Sequence, residues 1–417
     1  MTLLCILAII LIILIQFYRE KNIVNVVTIL AGPYLIIFAL GNFVLHHFGF
    51  YIISNSVLEL ITASIIVFYL GTCLVSCNGI AEIIEEDNKK RFDQYNIKAM
   101  AIIVFIIVVI TSFKFIYLFK TGQFSVNNFD DAEGVMGQGV LGHMLLMSYS
   151  LIPILFLYWL ENKKKIQYLL LVGMVIGVTF STFVKYNVIG VVVNLFLFST
   201  MYKRSVFKRG IIILISLVAL LFISNYALSF MVKDSLVNSE FYFNHFLVYL
   251  VGSVIYDNYI FDPGINSDLS IFYKLRTFLC AIPNMFINVM GDEPLYPHIQ
   301  KPFYPVSIFT GEVSNVTDAF GYLFPSNGSV VDVVSYFLVI LIIGILISYI
   351  YVRAKLKRKQ IYFNVFITNF LTYFVFFSFF GTFYINPGPW EICIYSLLIP
   401  SLFLKGTNLR KGIIRLP

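Results

Sequence analysis

Eleven apolar segments are strung along this 417-residue chain, and one of the intervals between them is far longer than the others. A helix that crosses a bilayer needs ~20 mostly apolar residues, because hydrocarbon offers its backbone no hydrogen-bonding partner. That template fits Thr2–Tyr18, Ile23–Leu45, Val57–Cys77, Ile97–Leu118, Val140–Leu160, Ile166–Val184, Val188–Tyr202, Ile211–Met231, Val330–Tyr351, Ile361–Tyr384 and Trp390–Leu404. The seventh and eleventh reach only about 22 Å at the helical rise, so they draw on neighbouring residues or stop short of spanning. Charged residues are 12% of the chain and hydrophobic ones 59%, whereas a soluble domain carries roughly 25% charge. These figures exclude a soluble enzyme and predict an all-α polytopic membrane protein of about eleven transmembrane helices. Residues 1–231 hold helices 1–8, residues 232–329 form one large loop, and residues 330–417 hold helices 9–11 and a tail.

Orientation follows from the cations. If the first helix runs from outside to inside, only Lys114, Lys120, Lys185, Lys233, Lys274, Arg276 and Lys301 of the 29 lysines and arginines fall outside. The positive-inside rule then places the N-terminus outside, the C-terminus inside and the large loop on the outer face of the cytoplasmic membrane. All five histidines, His46, His47, His143, His245 and His298, share that outer side. The net charge of +7 comes from the cytoplasmic turns, which attract anionic lipid headgroups, and is no sign of nucleic-acid binding. No cation precedes the first apolar run, so it reads as a retained anchor and not as a signal peptide. Cys73 and Cys77 read as small packing hydrophobes. No phosphate-binding glycine fingerprint occurs, and no nucleotide cofactor is expected.

The loop Val232–Ser329 is not a linker. It holds seven of the thirteen prolines interleaved with Phe and Tyr, a composition unlike that of disordered chains, so it predicts a folded cap. Within it, Leu269–Met290 has helical apolar spacing with Lys274 and Arg276 on its early turns. It reads as an amphipathic helix at the membrane surface.

Beyond that helix, Asn315, Val316, Ala319, Phe320 and Gly321, followed by Asn327-Gly328 at the entry to an apolar helix, resemble the matching region of bacterial oligosaccharide repeat-unit polymerases. These are the Wzy-type O-antigen, capsule and exopolysaccharide polymerases. A second similarity is the hairpin with Ser181, Thr182 and Lys185, where that family more often carries arginine. Asp318 stands where family members more often have an uncharged residue. The resemblance implies a bundle like that of the GT-C enzymes and O-antigen ligases. It also implies a glycosyltransferase reaction in which a polyprenyl-diphosphate-linked oligosaccharide is attacked by a hydroxyl of another lipid-linked unit. A flippase and a chain-length regulator of the same pathway are the implied partners, together with membrane lipid, and the implied transfer is metal-independent with no cofactor.

Such chemistry needs cations for the departing diphosphate, arginine as a bidentate fork or lysine as a point charge. Arg276 and Lys185 are the first candidates, with Lys274 beside Arg276; the plainer reading is that Lys185 snorkels at a helix end and Lys274 with Arg276 touch lipid headgroups. The attacking hydroxyl needs a base. His298, near Asp292 and Glu293, is the best-placed histidine, and Asp318, Glu312 and Asp257 are the alternatives. Asn315 either binds substrate or caps a turn, and Tyr296 either stacks on a sugar or packs within the cap. Asp130, Asp131 and Glu133, or Asp292 and Glu293, lack a recognised metal-ligand spacing. Two rivals remain: an O-antigen ligase-type transferase, although Ser314-Asn315 replaces the His-Asn pair common in ligases, and a lipid-linked oligosaccharide flippase. Helix interiors nearly free of charge favour an outer-surface enzyme over a translocation path.

Overall fold

The computed structural model describes residues 1–75, 92–121, 139–162, 165–180, 185–202, 239–261, 271–290, 293, 295, 302–308, 311–325, 328–356 and 360–405. The apolar segment Ile211–Met231 lies outside them. In chain order the helices are α1 (Thr2–Glu20), α2 (Val26–Phe43), α3 (Asn55–Cys73), α4 (Ile97–Lys120), α5 (Gly139–Glu161), α6 (Ile166–Phe180), α7 (Lys185–Tyr202), α8 (Ser239–Tyr256), α9 (Ile271–Met290), α10 (Ala319–Leu323), α11 (Val330–Leu356), α12 (Ile361–Phe370) and α13 (Pro387–Leu398). A two-residue hairpin, β1 (Tyr304–Pro305) with β2 (Val313–Ser314), pairs antiparallel. Among the described residues seven helices are long and apolar enough to cross a membrane, so the chain is an all-α protein of membrane-spanning character. The seventh segment gains length at its start, α7 beginning at Lys185.

Two compact units divide the chain. The first comprises Met1–Glu82, Asn238–Leu356 and Tyr373–Trp390. In it α3 lies directly on α11: a Cβ added at Gly71 would run into the Leu341 carbonyl, and one at Gly344 into the Phe68 carbonyl. Small residues allow such backbone approach where lipid gives no hydrophobic drive to pack helices. Alongside this seam the Ser64 hydroxyl bonds the Tyr336 hydroxyl at 2.6 Å. At one end, Arg19 donates to the Thr72 and Val75 carbonyls at 2.9 and 2.6 Å. There too the Lys355 ammonium lies 3.4 Å from the Glu20 carboxylate, with both side chains buried.

At the other end, the loop residues are sewn to the α2–α3 turn. The Tyr51 amide donates to the Val306 carbonyl at 3.0 Å and the Ile308 amide to the Gly49 carbonyl at 2.7 Å. Asn258 accepts from the Ser54 amide and donates to the Ile52 carbonyl, at 2.8 and 2.9 Å. The described part of residues 232–329 is therefore ordered structure. It includes α8, whose Val251, Val254 and Ile255 are fully enclosed, a helix whose apolar run is diluted by polar flanks in the sequence.

The second unit comprises Ile83–Val237, Lys357–Thr372 and Glu391–Pro417. Here α5 packs on α4, α6 and α7, and α7 packs on α12. Its interior carries uncharged polar groups. Asn369 accepts from the Asn194 amide and donates to the Ser396 hydroxyl at 2.7 Å, and Asn364 donates to the Tyr202 hydroxyl. Interhelical bonds of this kind hold helices together in lipid.

Candidate functional site

The polar centre of the first unit is built around the short helix α10. Its N-cap is Asp318, in extended conformation, whose Oδ1 accepts the Gly321 amide at 2.5 Å. The Asp318 amide in turn donates to Oδ2 of Asp257, at 3.4 Å, on the 3-10 turn that follows α8. Both carboxylates are fully buried. Gly321 makes this possible: an added Cβ would sit 2.6 Å from the Asp257 carboxyl, so only glycine lets that group lie against α10. Burial pushes the Asp318 carboxyl up from the usual carboxylate range, and the bonds from Gly321 offset that only in part. Over the pair, the Tyr34 ring packs 5.5 Å from the Phe320 ring, with its hydroxyl turned toward Asp318 and Ser378.

At the opposite end of α10, Lys274 donates to the Phe324 carbonyl at 2.8 Å and lies 5.8 Å from the Tyr322 ring centroid. Carboxylates at the N-terminus and an ammonium at the C-terminus complement the dipole of even a short helix. Asp318 and Lys274, expected from sequence to bind substrate, both bond the backbone at the ends of α10.

The helix α9 is the expected amphipathic element, with its faces arranged unusually. Ile271, Lys274, Thr277, Ala281 and Asn284 are turned inward and buried; Asn284 bonds both backbone groups of Leu295. The outward stripe is Phe272, Arg276, Leu279 and Phe286, at three- and four-residue steps to Leu279 and two turns beyond it to Phe286, with the three apolar members about 60% exposed. Two positions apart on a helix, Lys274 and Arg276 point to nearly opposite sides. The two cations that sequence grouped together are separated.

In the second unit a constellation appears that sequence did not single out. His143, near the start of α5, places Nδ1 2.5 Å from Oε1 of Glu391 on α13, with side-chain exposures of 48% and 8%. The Tyr395 hydroxyl, one turn along α13, also bonds Glu391. A carboxylate on Nδ1 orients the ring and fixes its tautomer. The two residues are 248 positions apart, so only a folded structure could pair them.

The other expected residues divide simply. Asn315 is half-buried beside Ser314, whose hydroxyl accepts the Val316 amide at 3.2 Å. Lys185 is the first residue of α7. His298 and Tyr296 lie outside the described residues, as do Asp292, Asn327 and the acidic group Asp130, Asp131 and Glu133. Among the described residues no group of three or more His, Cys, Asp or Glu is placed to hold a metal ion.

Comparison with curated proteins and with solved structures gives no match. A family model does match, over residues 87–411, which take in α4 to α13 and with them α9, α10 and the His143–Glu391 pair. The chain belongs to that family, described as a family of unknown function (DUF6337).

Proposed function

We propose that this chain is a membrane-embedded glycosyltransferase, a polymerase that joins polyprenyl-diphosphate-linked oligosaccharide repeat units at the outer face of the cytoplasmic membrane. In this reading about eleven helices span, the N-terminus is outside, the C-terminus is inside, and residues 232–329 cap the bundle. The observation that carries it is the outward face of α9. An apolar stripe with one guanidinium set into it matches a lipid diphosphate chemically: the isoprenoid chain lies along Phe272, Leu279 and Phe286, and the anionic group meets Arg276. Such a face is suited to stabilise the charge that develops on a departing diphosphate.

The attacking hydroxyl must lose its proton. A base must take it, and His298 is the residue the sequence offers for that role. Transfer would then form a bond from the acceptor oxygen to the anomeric carbon and break the bond from that carbon to the diphosphate oxygen. The diphosphate leaves with the electron pair, and the hydroxyl proton goes to that base.

Deletion of the gene in its own host tests the reading. Surface glycan should then stop at a single repeat unit, because the unit itself is made elsewhere. Polymer of normal length in a strain with no second polymerase would refute it.

A further inference from the structure

Helix α9 breaks a local rule at one position. Pro283 lies inside this 20-residue helix, where proline is the least favourable of the amino acids. Its nitrogen carries no hydrogen, so the bond that a helix would send from residue 283 back to the Leu279 carbonyl does not form. Leu279 is 67% exposed, and among the described residues no side-chain donor takes the place of the missing amide. At 100° per residue, Phe272, Arg276, Leu279, Pro283 and Phe286 fall within about 80° of one another around the axis. All five are exposed. The proline therefore sits in the middle of the outward stripe, and the carbonyl it leaves open lies about one turn beyond Arg276. A freed carbonyl at a lipid surface needs a donor from a neighbouring helix, a side chain, water or a ligand.

One face of α9 thus carries a guanidinium that only donates and a backbone oxygen that only accepts. An ionised diphosphate is all acceptor and is served by Arg276 alone. The sugar joined to it has hydroxyls, which donate. We propose that the Leu279 carbonyl accepts a hydrogen bond from the sugar next to the diphosphate, so that α9 distinguishes glycan-bearing polyprenyl diphosphate from the sugar-free lipid. This rests on the transferase reading of α9 and adds a preference at the same face. The consequence for turnover is that substrate displaces spent carrier: transfer leaves a polyprenyl diphosphate without a sugar, which lacks that bond and departs more readily. One hydrogen bond to an uncharged carbonyl is worth about 3–10-fold in affinity.

The test compares two lipid probes on the purified full-length protein in nanodiscs of phosphatidylcholine, whose headgroup has no hydrogen-bond donor. One probe is polyprenyl diphosphate, the other is the same lipid carrying one sugar, and native mass spectrometry reads the bound fraction of each. The wild type should hold the sugar-bearing lipid about 3–10-fold more tightly. Pro283→Ala gives residue 283 an N–H that closes onto the Leu279 carbonyl, and alanine favours the helix, so this variant should fold. It should bind both probes as tightly as the wild type binds the sugar-free one. Pro283→Leu supplies the same N–H with a larger apolar side chain and should behave alike, which separates the carbonyl from the surface of the proline ring. Wild-type protein that binds neither probe, or Arg276→Ala protein that binds both as the wild type does, would refute the transferase reading of α9 and this inference with it. Equal affinity of the wild type for the two probes, or a preference for the sugar that survives in both Pro283 variants, would overturn the role of the carbonyl alone.

Discussion

Replacing Gly321 by alanine adds one methyl group at a tight point in the packing around α10. The new Cβ would lie 2.6 Å from the Asp257 carboxyl carbon and Oδ1, and it would also strike the Ile260 side chain. Asp257 is fully buried and cannot swing into solvent, so the carboxyl must move within a packed interior. Overpacking of this kind costs about 1–3 kcal/mol. Loss of the charged hydrogen bond from the Asp318 amide, already long at 3.4 Å, adds about 1 kcal/mol. The sum is about 2–4 kcal/mol of unfolding free energy, measurable by reversible denaturant titration in mixed micelles. Gly32→Ala is the control: nothing lies within 4 Å of its added Cβ, so it should be neutral or stabilise by up to ~1 kcal/mol. A Gly321→Ala protein as stable as the wild type would refute the placement of Asp257 against α10.

Substitutions at two further sites have defined outcomes. Glu20→Ala leaves the Lys355 ammonium buried without its carboxylate and should cost about 3–5 kcal/mol, whereas the double variant Glu20→Met with Lys355→Met should recover most of that loss; the same titration reads both. Arg276→Ala should lower polymer formation ~10²–10³-fold, the usual effect of removing one stabilising donor, with Arg276→Lys intermediate because charge survives without the fork, as read from initial rates of lipid-linked substrate consumption.

Much of the fold was legible because hydrocarbon imposes one rule on every spanning segment. The segment Ile97–Leu118 is α4 (Ile97–Lys120), and Val140–Leu160 is α5 (Gly139–Glu161), to within two residues at each end. Periodicity likewise found α9 inside the loop. What it could not give was the direction of that helix's faces: an apolar stripe in a membrane protein faces lipid as readily as core, and here it faces outward while Lys274, Thr277 and Asn284 turn in. The Ala319-Phe320-Gly321 motif was visible, but its reason, the approach of Asp257 from 64 residues upstream, depends on tertiary structure. The His143–Glu391 pair was hidden for the same cause: nothing local links two residues 248 positions apart.

The central claim is that this protein joins lipid-linked repeat units, and reconstitution measures it most directly. The purified protein in lipid nanodiscs would be given polyprenyl-diphosphate-linked repeat units from its own host and the products sized on a gel. The account predicts a ladder spaced by one repeat unit, with free polyprenyl diphosphate released for each bond formed. Repeat units that remain single in the presence of folded wild-type protein would contradict it.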